Sequence, residues 1–305
     1  MRETHHDKLA ETAQSVYPPC VLISVALITL NEEVNLSRTL ESVAPLVRDG
    51  NGEIIVVDSG STDRTIEIAK SFGARVVIEP WKGFAGQKNS AMEKASGDWV
   101  LQLDADEALE PQLCEEIMWV IKAIEDWPKD GLPLGADSRS RELLGKGMAY
   151  GIDEPDLNGF YIPRKNYFLG RWIKHGGFYP DAKLRLVRRG AGKFEEYGAH
   201  PTIKLNGNAI RLKHALIHNA YPTLRGYIDH MNSYSSSGAE VAVAKGHRGF
   251  SLTNIVLRPK LTFLYNYFFR LGFLDGREGL LLHLYHAVYV SWKYGKAWEL
   301  SRKSN

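Results

Sequence analysis

Hydrophobic runs alternate with amphipathic stretches through the first third of the chain. Val21 to Thr29 is almost entirely apolar and leads into a helical pattern, and Glu53 to Val57 does the same after a polar interval. A short third strand is predicted at Ala74 to Ile78, followed by a helix over Phe84 to Ala95 and a fourth strand over Trp99 to Leu103. Short buried strands that alternate with helices are typical of a largely parallel sheet covered on both faces. The pattern therefore predicts an α/β fold.

The pattern changes twice further along the chain. Between Asp126 and Asp156 it is rich in proline, glycine and charge, which predicts a long surface excursion. Strand-like pieces return at Gly159 to Ile162 and at Lys183 to Val187, and helices dense in aromatic residues begin near Tyr221. The predicted organisation is a disordered, polar lead-in over 1–19, a main domain over 20–220 and a helical appendage over 221–305.

Polar residues follow three of the predicted strands at the point where each ends, namely at Thr29 to Glu33, Asp58 to Asp63 and Asp104 to Asp106. In open parallel sheets ligands bind outside the carboxyl ends of the strands, so we expect these segments on one rim. Asp104 and Asp106 can turn both carboxylates toward one site. Such groups suit Mg²⁺ or Mn²⁺, with substrate phosphates completing the shell. The alternative for this triplet is an ordinary turn or helix cap.

Composition narrows the class of partner. The chain has 305 residues, of which 44% are hydrophobic and 24% charged, and its formal net charge is +2. No extended tract of lysine and arginine provides the electrostatic footprint of a nucleic-acid binder, so we expect no nucleic-acid partner. Cys20 and Cys114 stand apart, in neither a metal-type nor a redox-type spacing, so a reducing compartment is expected.

Four segments, in order and spacing, resemble the inverting family 2 glycosyltransferases of the GT-A fold. The matching segments are Ile28 to Glu33, Val56 to Thr65, Gly86 to Asn89 and Leu103 to Glu107. The resemblance implies a nucleotide-sugar donor, with a UDP-sugar expected, and a divalent metal, Mg²⁺ or Mn²⁺. It implies that Asp106 holds the metal. The implied donor-binding residues are Thr29, Asn31, Glu33, Asp58, Lys88 and Asp104.

The resemblance also implies a catalytic base in the second half of the chain. Many relatives carry Glu-Asp before an amphipathic stretch at this place, where this chain has Pro180 and Asp181. A carboxylate must lie within hydrogen-bond reach of the attacking hydroxyl, and Asp181 is the candidate. Glu195 and Glu196 are the fallback bases.

Three further segments look like the branch of the family that attaches glucose to a heptose of the bacterial lipopolysaccharide core. These segments are His175 to Asp181, Arg185 to Arg189 and Leu271 to Gly279. The resemblance implies a glycan or lipid-linked acceptor and a place at the cytoplasmic face of the inner membrane. Arg185, Arg188 and Arg189 are candidate ligands for an anionic acceptor, or else a solvated basic strand face.

The helical tail and two histidines leave alternatives open. Leu261 to Leu274 has apolar residues at helical spacing with basic residues beside it, which suits either a peripheral membrane surface or a helical cap on the main domain. His214 and His218 are spaced i, i+4, but the preceding alternation indicates a strand, so a metal role is disfavoured. A sugar-nucleotide nucleotidyltransferase and a catalytically silent glycan-binding scaffold are the alternative functions.

Overall fold

The computed structural model describes residues 23–126, 147, 149, 151–153, 156–196 and 201–303. The predicted lead-in over 1–19 and most of the excursion between 126 and 156 lie outside the described residues.

Strands and helices alternate through the first third of the chain, as the hydrophobic pattern predicts. The strands are β1 (Ile23–Thr29), β2 (Gly52–Asp58), β3 (Arg75–Ile78), β4 (Trp99–Asp104) and β5 (Glu107–Leu109). The helices are α1 (Leu36–Val47), α2 (Thr65–Ser71), α3 (Gly83–Glu93) and α4 (Pro111–Glu125). The predicted α/β class is confirmed.

Short strands dominate the next part of the chain, where the sequence predicts β6 and β9 and few of the others. They are β6 (Leu157–Ile162), β7 (Arg164–Phe168), β8 (Arg171–Trp172), β9 (Lys183–Arg188), β10 (Gly192–Glu195), β11 (Thr202–Leu205), β12 (Asn208–Arg211) and β13 (Leu216–Tyr221).

A seven-stranded sheet in the order β12-β6-β9-β4-β1-β2-β3 forms the centre of the molecule. Strands β3, β2, β1 and β4 are parallel, and β9 runs antiparallel to both β4 and β6. Thr29 is opposite Asp58, and Ile28 is opposite Asp104. The polar segments after β1, β2 and β4 therefore leave the sheet on one rim, as expected.

A second, smaller sheet brings distant parts of the chain to that rim. Its order is β5-β13-β7-β8, with β13 antiparallel to β5 and parallel to β7. Because β5 follows β4 after a two-residue turn, β13 and β7 lie beside the Asp104 to Asp106 segment. Residues from 164–168 and 216–221 can thus reach a site that begins at residue 104.

The apolar faces of the helices cover the large sheet. Leu36, Leu40 and Val43 recur at i, i+4 and i+7 on α1, and all three are fully buried in one cluster with Val25 and Leu27 of β1. Burial of each such side chain contributes about 1.5–3 kcal/mol to the free energy of unfolding. This packing fixes the loop before α1 against the rim.

The chain after β13 is helical. The first tail helix (Leu224–Ala244) and the last tail helix (Gly276–Lys303) pack together through alanines 239, 242 and 297. Tyr227 and Leu282 of these helices share an apolar cluster with Phe168 of β7, so the tail is packed on the small sheet. Between the two helices lies the tail arm, residues 252–274, which contains Thr253–Leu257, Arg258–Leu264 and Tyr265–Phe269. A division of the chain near residue 220 stays a proposal.

Candidate active site

The loops after β1 and β2 hold each other through Asp58. Its Oδ1 accepts hydrogen bonds from the backbone N–H groups of Gly60 (2.9 Å) and Ser61 (2.7 Å). Its Oδ2 accepts from the hydroxyls of Thr29 (2.7 Å) and Ser61 (2.6 Å). A carboxylate offers about four acceptor positions, so all of them are filled. Asp58 is fully buried, and its hydrogen bonds hold the two loops together. Contact with a nucleotide-sugar donor would require its carboxylate to exchange one of these hydrogen bonds.

Asn31 and Glu33 connect the same two loops. Asn31 has a positive φ of 56°, and its Oδ1 accepts from the backbone N–H of Thr62 at 2.8 Å. The Glu33 Oε2 accepts from the backbone N–H of Arg64 at 3.1 Å. The two side chains are exposed on the rim, and their contact with a nucleoside stays a prediction.

Asp104, at the end of β4, is held between two cations. Its Oδ1 is 2.5 Å from the Lys88 Nζ, and its Oδ2 is 2.6 Å from the Arg185 Nη2. Burial opposes ionisation, but the charges of Arg185 and Lys88 keep the pKa of this carboxyl well below its usual range. Lys88, the predicted cation for the donor phosphates, therefore neutralises Asp104 here.

The pair of Asp104 and Arg185 belongs to a row of alternating charges along the site. Glu107 is fully buried and accepts from Arg185 Nη2 (2.7 Å) and Arg164 Nη1 (3.1 Å). Arg164 also forms an ion pair with Asp181, because its Nη2 is 2.6 Å from the Asp181 Oδ2. Ordered so that each residue contacts the next, the row is Lys88, Asp104, Arg185, Glu107, Arg164, Asp181 and Lys183. Each buried charge in it has an opposite neighbour, as burial requires.

The three candidate acceptor arginines do not meet, and their contact with an acceptor stays a prediction. Arg185 is only 5% exposed and is occupied by the acidic groups of the row. Arg188 lies over the Trp99 ring at 4.9 Å, and the Arg189 N–H donates to the Asp98 carbonyl at 2.8 Å. Because β9 runs antiparallel to β4, its last residues lie at the start of β4, opposite the rim.

Asp181 presents its carboxylate to a cavity in the site. Its Oδ2 accepts from Arg164 and, at 3.0 Å, from the Asn166 Nδ2, and its Oδ1 is 3.1 Å from the Lys183 Nζ. Burial opposes ionisation, but the Arg164 charge and the Asn166 hydrogen bond lower the pKa of Asp181 overall. The group is therefore an ionised carboxylate at neutral pH, ready to accept a proton.

The fallback bases lie elsewhere. Glu195 ends β10, where its side chain is 54% exposed and 3.2 Å from the Lys204 Nζ. Glu196 is exposed beside Gly83 at the start of α3. Neither lines the cavity that Asp181 lines, which leaves Asp181 as the candidate base.

Asp106 faces His218, a residue of β13 for which the sequence pattern disfavours a metal role. The Asp106 Oδ2 is 3.3 Å from the His218 Nε2, and the His218 Nδ1 is 2.7 Å from the Asn166 Oδ1. Burial opposes ionisation of Asp106, but the hydrogen bond and charge of His218 lower the pKa of the carboxyl overall. The i, i+4 spacing of His214 and His218 does not reveal this contact, because only the pairing of β13 with β5 and β7 brings His218 to Asp106.

The hydrogen bonds of Asn166 indicate which ring nitrogen of His218 carries the proton. The Asn166 Nδ2 donates to Asp181 and to the Phe178 carbonyl (3.0 Å), so its Oδ1 must face the imidazole. An acceptor at Oδ1 requires a proton on Nδ1 of His218, which directs the Nε2 lone pair toward Asp106. Two facing acceptors require a cation between them, either a second proton or a metal ion.

The donor set of this pair fits a divalent metal. One carboxylate and one imidazole suit Mn²⁺ or Mg²⁺ when diphosphate oxygens and water complete the shell. Among the described residues no group of three His, Cys, Asp or Glu side chains converges as a metal site. Full coordination by the protein alone is thus absent from this part of the chain, and a diphosphate ligand would have to share the ion.

A cavity of about 250 Å³ opens beside Asp181 and His218. Tyr167, Phe178, Tyr221 and, from the last tail helix, Leu282 share its wall with the polar groups of Asp181 and His218. Apolar walls with a few convergent polar groups are usual for small-molecule sites. The cavity therefore has the character of a small-molecule binding site.

Known glycosyltransferases are similar to this chain in sequence. The family model described as glycosyl transferase family 2 matches residues 24–192. The lipopolysaccharide core biosynthesis glycosyltransferase LpsC of Rhizobium meliloti is 29% identical over 279 residues, which are 89% of this chain and 90% of that protein. An uncharacterized glycosyltransferase of Rickettsia typhi is 45% identical over 98 residues, 32% of each chain. The solved structure of S. aureus TarS 1-349 with UDP-GlcNAc covers 93% of this chain and 92% of its own, at 17% identity and a TM-score of 0.44.

Proposed function

We propose, because the chain belongs to glycosyl transferase family 2, that it moves a hexose from a nucleotide-diphospho-sugar to an acceptor hydroxyl with inversion. That the chain is a glycosyltransferase follows from its family; the residues, the metal and the substrates are the proposal. One observation carries it. Asn166 holds both the candidate base, Asp181, and the imidazole that faces Asp106.

Asp106 and His218 would hold the divalent metal. When bound, that ion would supply positive charge to the diphosphate as negative charge grows on the leaving group. Asp104 has both oxygens in ion pairs but remains 30% exposed, which leaves an edge for a ribose hydroxyl. Lys88, bound to Asp104, would add positive charge near the donor phosphates.

Asp181 would accept the proton of the acceptor hydroxyl. Arg164 and Lys183 keep the carboxylate ionised, and Asn166 fixes its orientation toward the cavity. A low pKa makes it a weak base, so the proton would transfer late, as the oxygen bonds to the anomeric carbon and becomes acidic. Attack from the face opposite the diphosphate inverts the anomeric centre.

Glucose, carried by UDP, is the proposed donor sugar, and a glycan or lipid-linked hydroxyl of the lipopolysaccharide core or another envelope glycan is the proposed acceptor. The similarity to LpsC over 89% of the chain supports the lipopolysaccharide core as the source of the acceptor. The resemblance of residues 175–181, 185–189 and 271–279 to the glucose-transferring branch supports glucose. The proposed place of action is the cytoplasmic face of the inner membrane.

Hydrolysis of the donor tests this proposal without knowledge of the acceptor. The full chain with Mn²⁺ and UDP-glucose should release UDP slowly to water, and proton NMR at early times should show β-glucose before mutarotation. UDP-galactose, UDP-GlcNAc and GDP-mannose serve as donor comparisons. Release of α-glucose would reject inversion. UDP release that is equal in Asp181→Asn and in the unmodified chain would reject Asp181 as the base.

A further inference from the structure

The tail arm exposes an apolar stripe. Leu257, Leu261, Tyr265 and Phe269 recur every four residues and are between 48% and 80% exposed. The first three line one shallow groove, and the rings of Tyr265 and Phe269 stack at 6.4 Å. Leu252, Val256 and Phe268 are also exposed beside it. Contiguous exposed apolar surface of this kind marks an interaction site.

The other side of the tail arm is attached to the protein. The Ile255 carbonyl accepts from the Ser291 hydroxyl at 2.8 Å, and the Arg258 guanidinium hydrogen-bonds the Tyr294 hydroxyl. Pro259 is buried. The stripe is therefore the outer face of a held element, and none of the described residues covers it.

Charge indicates what the stripe binds. Between residues 245 and 274 the sequence contains five basic residues and no Asp or Glu. A second copy of the chain docked face to face would bring these like charges together. An anionic lipid surface complements them, and helices with an apolar face and basic neighbours lie in the membrane interface. We infer that the stripe of the tail arm docks the protein on the interface of an anionic bilayer.

The docking would be peripheral. Among the described helices none is both long enough and apolar enough to cross a membrane. Aromatic rings such as those of Tyr265 and Phe269 favour the boundary between headgroups and acyl chains. Lys260 is exposed next to the stripe, where it can face lipid phosphates.

The tail arm also contacts the wall of the cavity. The Gly176 N–H donates to the Arg270 carbonyl at 2.8 Å, and the Arg270 guanidinium lies on Gly177, where a Cβ atom would come within 2.1 Å of it. Gly177 lines the cavity beside Asp181. A docked stripe would thus hold the cavity near the lipid surface. This step rests on the proposed function; the docking itself does not.

Flotation of the full chain with vesicles tests the docking. We expect the protein to float with vesicles of equal parts phosphatidylglycerol and phosphatidylethanolamine, and less with phosphatidylcholine alone. The double variant Leu261→Glu and Phe269→Glu should lower the bound fraction at least about tenfold, since each apolar side chain loses its burial. Lys260→Ala should lower the affinity about fivefold at low salt. Met118→Glu, at a 40% exposed position on α4, is the matched control and should float normally.

Three results would overturn the inference. The first is equal flotation of the double variant and the unmodified chain, and the second is no flotation of either. The third is a dimer in sedimentation velocity that the double variant converts to a monomer, because the stripe would then bind a second copy. Release of UDP from UDP-glucose in solution, which is independent of vesicles, should be the same in all variants. A loss of flotation with normal release separates this inference from the proposed function.

Discussion

The loops after β1 and β2 differ from the cavity side of the same site in how their polar groups are satisfied. Around Asp58 the chain fills its own acceptors through hydrogen bonds among 29–33 and 58–65. Asp181 keeps one face toward a cavity, and the Asp106 and His218 pair requires a cation. The first region is a closed frame, whereas the proposed substrate and metal would complete the second. Changes in the two regions should therefore have different consequences.

The largest change in rate is expected at Asp181. Asp181→Asn should lower kcat by about 10²–10⁴-fold, because the base is lost while its neighbours remain. Donor affinity, measured by calorimetry with UDP, should stay unchanged. Glu195→Gln on exposed β10 is the control and should retain its rate. A normal rate in Asp181→Asn together with a reduced rate in Glu195→Gln would instead assign the base to Glu195.

Asn166 joins the two reactive groups, so its loss should affect both. Asn166→Ala should cost about 10–100-fold in Mn²⁺ affinity, because His218 loses the acceptor that fixes its tautomer. The pH profile of transfer should shift as well, since Asp181 loses one hydrogen-bond donor. Asn158→Ala, which removes a half-buried amide on β6, is the matched control. Unchanged metal affinity in Asn166→Ala would reduce Asn166 to a structural residue.

Asp58 should behave as part of the frame. In Asp58→Asn an amide NH₂ replaces one oxygen and meets donors of the loop, which should cost about 1–3 kcal/mol of unfolding free energy. Thermal denaturation measures this loss. UDP binding, measured at a temperature where the variant is folded, should weaken by less than the loss in unfolding free energy. A stable Asp58→Asn variant with abolished UDP binding would return the residue to direct donor contact.

The smallest effect is expected at a carboxylate outside both regions. Lys94, Ser90 and Lys82 surround Glu79 and lower its pKa from 4.5 to about 2. The stabilisation is full above pH 4.5 and is lost as the pH falls toward 2. Glu79→Gln should thus lower the free energy of unfolding at pH 7 by about 1 kcal/mol or less, seen as a slightly lower Tm, and the difference should vanish near pH 2. A pH-independent difference would assign the effect to packing.

Local sequence predicted the frame better than the chemistry. The strand ends at Thr29, Asp58 and Asp104 follow from runs of buried residues, and the parallel register brings them to one rim. Lys88 lies 16 residues before Asp104 in the sequence, which is within the range of a local motif.

The cavity side depends on contacts that local patterns do not encode. Arg164, Asn166 and His218 reach the site through β7 and β13, and the pairing of β13 with β5 and β7 is set by tertiary packing. Arg185 and Arg188 are candidates for one acceptor, yet the direction of β9 places them at different distances from the rim. Strand direction and partner were the missing information.

Calorimetric titration of UDP with and without Mn²⁺ tests the central claim most directly, because it measures the metal site without requiring an acceptor. The unmodified chain should bind UDP at least about tenfold more tightly with Mn²⁺, as expected when ion and diphosphate bind together. Asp106→Asn and His218→Ala should lose that gain and keep the metal-free affinity and the Tm. Equal enhancement by Mn²⁺ in all three proteins would contradict the account.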